Sequence, residues 1–297
     1  MVQHKKGSGP FLNLGFMKQF NKIAIIGVGL IGGSIGLAVK RKNLAREIVG
    51  VCRHKQSLQK AARAGAIDEG SLDCKDAVSG ADLVILATPV NQIIRLAKKI
   101  IPYLKRGCLV TDVGSTKLEI VRSIEKAYAR EQFHFVGAHP LAGSEEKGVI
   151  KARADLFEGA ICILTRTGRT DSSALKKVAA FWSKIGCRTK VLTARRHDKV
   201  VALISHLPHL AAAQLVKVAK GNLDFASSGF SDTTRIASSS AEIWVDIFLT
   251  NKKFITQAID RYIKNLRLVK DLISRGDKAR FSEEFKKMKT LRHALQK

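Results

Sequence analysis

His139 is the residue in this chain best placed to move a proton. It follows an apolar, strand-like run from Phe133 to Gly137 and stands beside Pro140. It heads a loop of small and polar residues that continues through Ser144 and Glu145. Imidazole is the usual side chain for exchanging a proton near neutral pH. Ser115 lies after the neighbouring strand, in Asp112-Val113-Gly114-Ser115-Thr116-Lys117, and could hydrogen-bond that ring and fix its orientation. A loop histidine can equally be a structural hydrogen-bonder, and residue types alone leave both readings open. Further on, Ser205-His206-Leu207-Pro208-His209 sets two histidines three residues apart on one helix face. Pro208 frees the carbonyl of Ile204 and bends the helix there, which invites a binding site. No third ligand accompanies the pair, so no metal is expected. In Gly229-Phe230-Ser231-Asp232-Thr233-Thr234-Arg235, Arg235 could hold a substrate carboxylate through two parallel hydrogen bonds, or simply pair with Asp232. Trp244 and Tyr262 are read as core or interface residues rather than ligand contacts.

Such groups need a scaffold, and the chain announces one early. Lys22-Ile23-Ala24-Ile25-Ile26 reads as a buried strand and runs at once into Gly27-Val28-Gly29-Leu30-Ile31-Gly32. A G-x-G-x-x-G stretch between strand and helix is the setting in which the motif binds a dinucleotide. Gly27 permits the tight turn and Gly29 lets backbone approach a pyrophosphate. Gly32 lets the helix from Leu30 to Lys42 pack on the strand. The N–H groups at the helix start, Leu30 and Ile31 among them, then face the phosphates. A nicotinamide cofactor is the expectation. Thr88 and Pro89, after the strand Leu83 to Ala87, belong to the same carboxyl edge and are assigned to the cofactor too.

The ribose-binding acid should stand about twenty residues past the last glycine. After the strand Glu47 to Cys52 the chain instead reads Arg53-His54-Lys55. An acid there would bond the ribose 2′-hydroxyl and repel a 2′-phosphate, whereas guanidinium suits phosphate. NADP is therefore expected to be accepted and preferred over NAD; the competing reading is a solvated basic loop.

From residue 21 to 192 strand-like runs alternate with helical patterns, as in a parallel α/β sheet. Strands are expected at 109–112, 133–137, 160–164 and 189–192, with helices at 91–101, 116–129 and 173–185. Beyond Thr193 the pattern is helical almost to the end, in stretches at 195–219, 243–272 and 281–295. The fold class is thus α/β: a Rossmann-type nucleotide-binding domain at 21–192, followed by an all-helical domain at 193–297. So apolar a helical part, with little sheet to cover, is a good dimerisation domain. Residues 1–20 read as a loose leader without the long apolar core of an export signal.

Composition narrows the function classes. At 297 residues and 45% apolar content the chain suits a soluble, two-domain protein. No apolar run looks long enough to span a bilayer. The five cysteines are scattered singly and suit buried thiols in a reducing cytoplasm. The 52 basic residues against 25 acidic give a formal charge of +27. That excess could draw nucleic acid, yet the basic residues are dispersed and no helix-turn-helix or zinc signature accompanies them. Anionic small molecules are the better-supported partners.

Taken in order, the glycine loop, Ala87-Thr88-Pro89-Val90, D-V-G-S-T-K, G-A-H-P-L-A-G-S-E, S-H-L-P-H and G-F-S-D-T-T-R-I-A resemble the prephenate/arogenate dehydrogenase family of tyrosine biosynthesis. The likeness runs from about Asn21 to beyond Trp244, and the H-P-L-A-G and S-H-L-P-H pair is its most specific part. It implies an NAD(P) domain, a helical dimerisation domain and an active site between them. It implies His139 as catalytic base with Ser115 bonded to it, and Arg235 on a substrate carboxylate. Ser144, Glu145, His209 and Asp232 would line or gate the pocket. Arg53 departs from the acid of NAD-specific members. Some members carry a chorismate mutase or a tyrosine-sensing module, and the length of this chain leads us to expect neither; competition by tyrosine in the active site stays open. Two rivals remain. A β-hydroxyacid dehydrogenase or imine reductase would be expected to carry a lysine where His206 and His209 stand. A basic nucleic-acid-binding protein with an inert nucleotide fold is the other.

Overall fold

The computed structural model describes residues 18–127, 133–143 and 146–294. The proposed leader lies outside the described residues as far as residue 17, and Phe20 already belongs to the first strand. The chain runs β1 (Phe20–Ile26), α1 (Leu30–Arg41), β2 (Ala45–Val51), α2 (Lys55–Arg63), β3 (Glu69–Ser71), α3 (Cys74–Val78), β4 (Leu83–Leu86) and α4 (Val90–Ile100). It continues through β5 (Cys108–Asp112), α5 (Leu118–Ala127), β6 (Phe133–Val136), β7 (Ala138–Pro140), β8 (Ile161–Thr165), α6 (Ser172–Lys184) and β9 (Arg188–Leu192). From there it is helical: α7 (Ala194–Val201), α8 (Leu207–Val218), α9 (Ser228–Thr234), α10 (Ala241–Thr250), α11 (Lys252–Ser274) and α12 (Lys278–His293).

Six parallel strands form the main sheet in the order β3-β2-β1-β4-β5-β6. Alternation decides which face each residue serves. Ile23, Ile25, Leu83 and Ile85 enter the core under α1 and α6, while Ala24, Ile26, Val84 and Leu86 enter the core under α3, α4 and α5. Both faces are covered, so these strands read as unbroken apolar runs. The strand order reverses between β1 and β4, and in open α/β sheets the crevice beyond the carboxyl ends at that point takes the ligand. The glycine loop after β1 and Thr88 after β4 stand there.

Three features depart from the sequence reading. The segment 55–78 holds the nine-residue α2, the three-residue edge strand β3 and the five-residue α3, which the alternation of longer apolar runs left unread. His139 does not head a loop; it sits on β7, paired antiparallel to β8 in a second sheet of order β7-β8-β9, with His139 opposite Ile163. The backbone ladder therefore fixes it. Finally, α7 and α8 run through a π-helical turn, Ala202–His206, as one helix from Ala194 to Val218. It is long and apolar enough to cross a membrane by length and composition, contrary to the expectation from apolar runs. The interruptions that hid it are His197, Asp198, His206 and Pro208.

The helical part packs loosely on itself. Its buried cluster is Ala202, Phe254, Ile255 and Ala258, joining the π turn to α11. Leu215, Val218, Phe225, Leu249 and Leu266 remain exposed.

Candidate functional site

The glycine loop is built by steric necessity. Gly27 has φ +97°, and a Cβ there would lie 2.5 Å from the carbonyl oxygen of Ala87. Its N–H donates to the Val51 carbonyl at 2.9 Å, tying the turn to the end of β2. A Cβ on Gly32 would lie 2.1 Å from the Gly27 oxygen, so α1 can start this close to β1 only with glycine there. A Cβ on Gly29 would meet nothing within 4 Å. That space opens on the first turn of α1, which has no acidic residue and no side-chain cap. Free N–H groups at a helix start, facing open space, form an anion cradle. The Thr88 hydroxyl is buried at the same edge without a partner. An uncapped helix start and an orphaned hydroxyl fit the phosphates and nicotinamide end of a dinucleotide. Arg53 is exposed two residues beyond Val51, on the rim beside this loop.

One cavity of about 760 Å³ joins the loop to the helices. Gly29, Leu30, Ile31, Thr88 and Pro89 line its sheet side, Ser115 and His139 its floor, and His209, Arg235 and Trp244 its helical side. The π turn delivers Ile204 and Ser205 to the same wall, a common use of such turns. His209 Nδ1 donates to the Ser205 carbonyl at 3.0 Å, and its ring stacks on Trp244 with centroids 3.5 Å apart. His206 meets the same indole edge-on at 6.0 Å. The two histidines do share a face, and its partner is the tryptophan, which is a cavity wall rather than mere core. Asp232, one turn before Arg235, is exposed and is not among the residues lining the cavity. Ser144 and Glu145 lie outside the described residues.

His139 is held differently from the expectation. Its Nδ1 lies 2.8 Å from Nε2 of His197, and Ser115 makes no hydrogen bond to the ring. The partner that takes the ring instead is on α7, where His197 belongs to the buried stripe. His197 Nδ1 lies 2.7 Å from Asp198 Oδ1. Asp198 also accepts the backbone N–H of Lys117 at 2.7 Å and of Leu118 at 3.0 Å, capping α5 from 80 residues away. Lys117, wholly buried, pairs with buried Asp112, which accepts the N–H of Gly114 at 2.8 Å and of Ala138 at 3.1 Å. Asn251 donates to the Asp198 carbonyl at 2.9 Å and to His206 at 3.1 Å. Burial holds His139 well below the usual imidazole range, and the neighbouring His197, Lys117 and His206 add to it. Burial lowers His197 likewise, helped by Lys117 and His206. Both rings are neutral at neutral pH, and His139 can act as a base.

His197, Asp198, Lys117 and Asn251 were missed in the sequence. A signal existed for two of them: Ala194, His197, Asp198 and Val201 are the buried stripe of α7. Two polar residues in an apolar stripe must have buried partners.

A parallel sheet of this order, a glycine loop at its switch point and a neutral histidine in the adjoining cavity define a dinucleotide-dependent oxidoreductase with a helical second part. Residues 35–191 match the family "Prephenate dehydrogenase, nucleotide-binding domain" and residues 193–287 match "Prephenate dehydrogenase, dimerization domain". A prephenate dehydrogenase of Bacillus subtilis is 34% identical over 92% of this chain and 76% of its own. A cyclohexadienyl dehydrogenase of Zymomonas mobilis is 33% identical over 94% and 97%. The crystal structure of Aquifex aeolicus prephenate dehydrogenase, in complex with hydroxyphenyl propionate and NAD+, superposes with a TM-score of 0.87 at 34% identity, covering 93% of this chain and 98% of that one. This chain belongs to the prephenate dehydrogenase family.

Proposed function

We propose that the chain catalyses the oxidative decarboxylation of prephenate to 4-hydroxyphenylpyruvate, or of arogenate to tyrosine, with NAD(P)+ as oxidant. The single observation that carries this reading is the cavity that brings the glycine loop, neutral His139 and Arg235 together. The dinucleotide, when bound, supplies the acceptor for the hydride on the ring carbon that bears the hydroxyl. His139 accepts the hydroxyl proton as that carbon becomes a carbonyl. Arg235 holds a substrate carboxylate, and Ser115 stands on the same floor to bond the reacting hydroxyl. The ring carboxylate leaves as carbon dioxide, and its electron pair aromatises the ring. His209, braced by Trp244, completes the wall opposite the sheet. Arg53 on the cofactor rim favours NADP over NAD. The exposed apolar faces of the helical part and the match to a dimerisation domain support a homodimer. A cytoplasmic location fits the free thiols.

The test is His139→Asn. Turnover, followed as NAD(P)H formation with prephenate and with arogenate, should fall about 10²–10⁴-fold, with KM within about twofold. Turnover near that of the unmodified enzyme would remove His139 from the reaction.

A further inference from the structure

We propose that His197 and Asp198 form a buried relay that fixes the tautomer of His139, which makes them positioning residues for the proton transfer. The inference rests on the reading of His139 as base and adds what prepares it.

The direction of each hydrogen bond follows from the fixed end of the chain. Backbone N–H groups can only donate, and two of them, from Lys117 and Leu118, end on the Asp198 carboxyl. They belong to the start of α5, where the helix dipole favours a negative charge. Asp198 is therefore an acceptor, and His197 Nδ1, at 2.7 Å from it, carries a proton. A neutral imidazole has one N–H, so His197 Nε2 holds a lone pair. His139 Nδ1, at 2.8 Å, must be the donor of that bond. Its own single proton is then spent on Nδ1, and Nε2 is left bare in a ring that lines the cavity. This is the state a base needs.

The opposite chain of tautomers would put a proton on His139 Nε2, where it would block acceptance. It requires a protonated carboxyl at Asp198 among two backbone donors, or a charged His197 close to buried Lys117. Burial pushes the Asp198 carboxyl toward its neutral form, but the N–H groups of Lys117 and Leu118 on its two oxygens oppose that, and a charged His197 would stand near buried Lys117. Nothing in the relay reaches the cavity: His197 is wholly buried and Asp198 is 1% exposed. The side chain of His197 meets the cavity through His139, which makes His197 the position to vary rather than Asp198, whose bonds also hold the start of α5 and Asn251. Once His139 takes up a proton it becomes a charged donor, and its bond to His197 Nε2 strengthens. The relay thereby holds the ring in one orientation before and after the transfer.

The experiment has two arms. The first uses ligand-free protein labelled with ¹⁵N-histidine, the His139 signals being assigned by their loss in His139→Asn. Nitrogen shifts should show Nδ1 protonated and Nε2 bare. A proton on Nε2 would overturn the proposal whatever the enzyme's activity. The second compares His197→Phe, which keeps a flat ring but offers no acceptor, with His197→Gln, whose amide oxygen can stand where Nε2 stood. His197→Phe should lose about 10–100-fold in kcat, as for one hydrogen bond to a charged group, with KM within about twofold. His197→Gln should recover most of that loss. Wild-type turnover in His197→Phe, or equal loss in both variants, sinks the relay. Should His197→Phe fail to fold, the tautomer measurement and His197→Gln still decide. Failure of the base reading looks different: His139→Asn would then turn over normally.

Discussion

The sheet and the seam between sheet and helices solve the same problem, burial, in opposite ways. In the sheet, backbone groups bond one another along parallel ladders and side chains only fill space, as Ile23, Ile25, Leu83 and Ile85 do at 0% exposure. At the seam the buried groups are polar. His139, His197, Asp198, His206, Lys117 and Asn251 are all at most 8% exposed. Each is met by another side chain, although His206 Nε2 and Asn251 Oδ1 are buried without a partner, and an unsatisfied buried polar group costs about 1–3 kcal/mol. The difference teaches where function is held: the sheet would survive many apolar exchanges, but the seam depends on each member's protonation state.

Acid should expose that difference most strongly. Burial lowers His206 to about 4 and pushes His139 and His197 down as well. Below the ordinary imidazole value of about 6.5 the unfolded chain takes up protons that the folded seam refuses, so stability falls as pH falls. For His206 alone the loss approaches roughly 3 kcal/mol as pH drops from 6.5 to 4. Asp112 and Asp198, raised by burial, act in the opposite sense, over a window that opens above the ordinary carboxylate value and closes at it. The two tryptophans separate the regions: Trp182 is buried in the core under the main sheet, and Trp244 stands at the seam. In variants keeping one tryptophan each, the Trp244 signal should change between pH 6.5 and 5 while the Trp182 signal holds. Coincident transitions would break the contrast.

A second experiment asks whether the glycine loop owes its sequence to packing or to ligand. Gly32→Ala places a Cβ 2.1 Å from the Gly27 oxygen. It should lower stability by about 1–3 kcal/mol, as overpacking does, and weaken dinucleotide binding with it. Gly29→Ala meets nothing within 4 Å. Its denaturation midpoint should stay within about 0.5 kcal/mol of the unmodified protein, yet its dinucleotide Kd should rise. Equal loss of stability in both variants would mean that the open space at Gly29 is not a ligand's.

The same contrast explains what could be read in advance. Strand and helix periodicity is local, and the glycine loop is six consecutive residues, so α1, β1, β4 and the cofactor edge were legible. His139 and Arg235 were legible as polar residues at element ends. The seam was not, because its bonds join residues 58 apart (His139 to His197), 81 apart (Lys117 to Asp198) and 53 apart (Asp198 to Asn251). No window along the chain holds both partners. Ser115 was assigned the bond that His197 makes because Ser115 and His139 both follow neighbouring strands in sequence, whereas His197 comes from α7, 58 residues on. Trp244 was read as core or interface because burial against His209 and exposure to a cavity look alike in sequence.

The smallest expected effect lies on the sheet's exposed rim and tests the contrast from its other side. Arg53 carries a full charge, but water screens it, unlike the pair Lys117 and Asp112. Its contribution to a 2′-phosphate should be about 1–2 kcal/mol, as for a charge-assisted hydrogen bond. Arg53→Ala should therefore cut kcat/KM for NADP about tenfold and leave NAD within about twofold. If Arg53 sets a preference for NADP, that preference should shrink as salt rises from low to physiological strength, because the charge is solvated. Turnover of the saturated enzyme should show no such dependence, since the groups around His139 are shielded from ions. An Arg53→Ala enzyme with an unchanged cofactor ratio would return that guanidinium to the ordinary basic surface of a chain with formal charge +27.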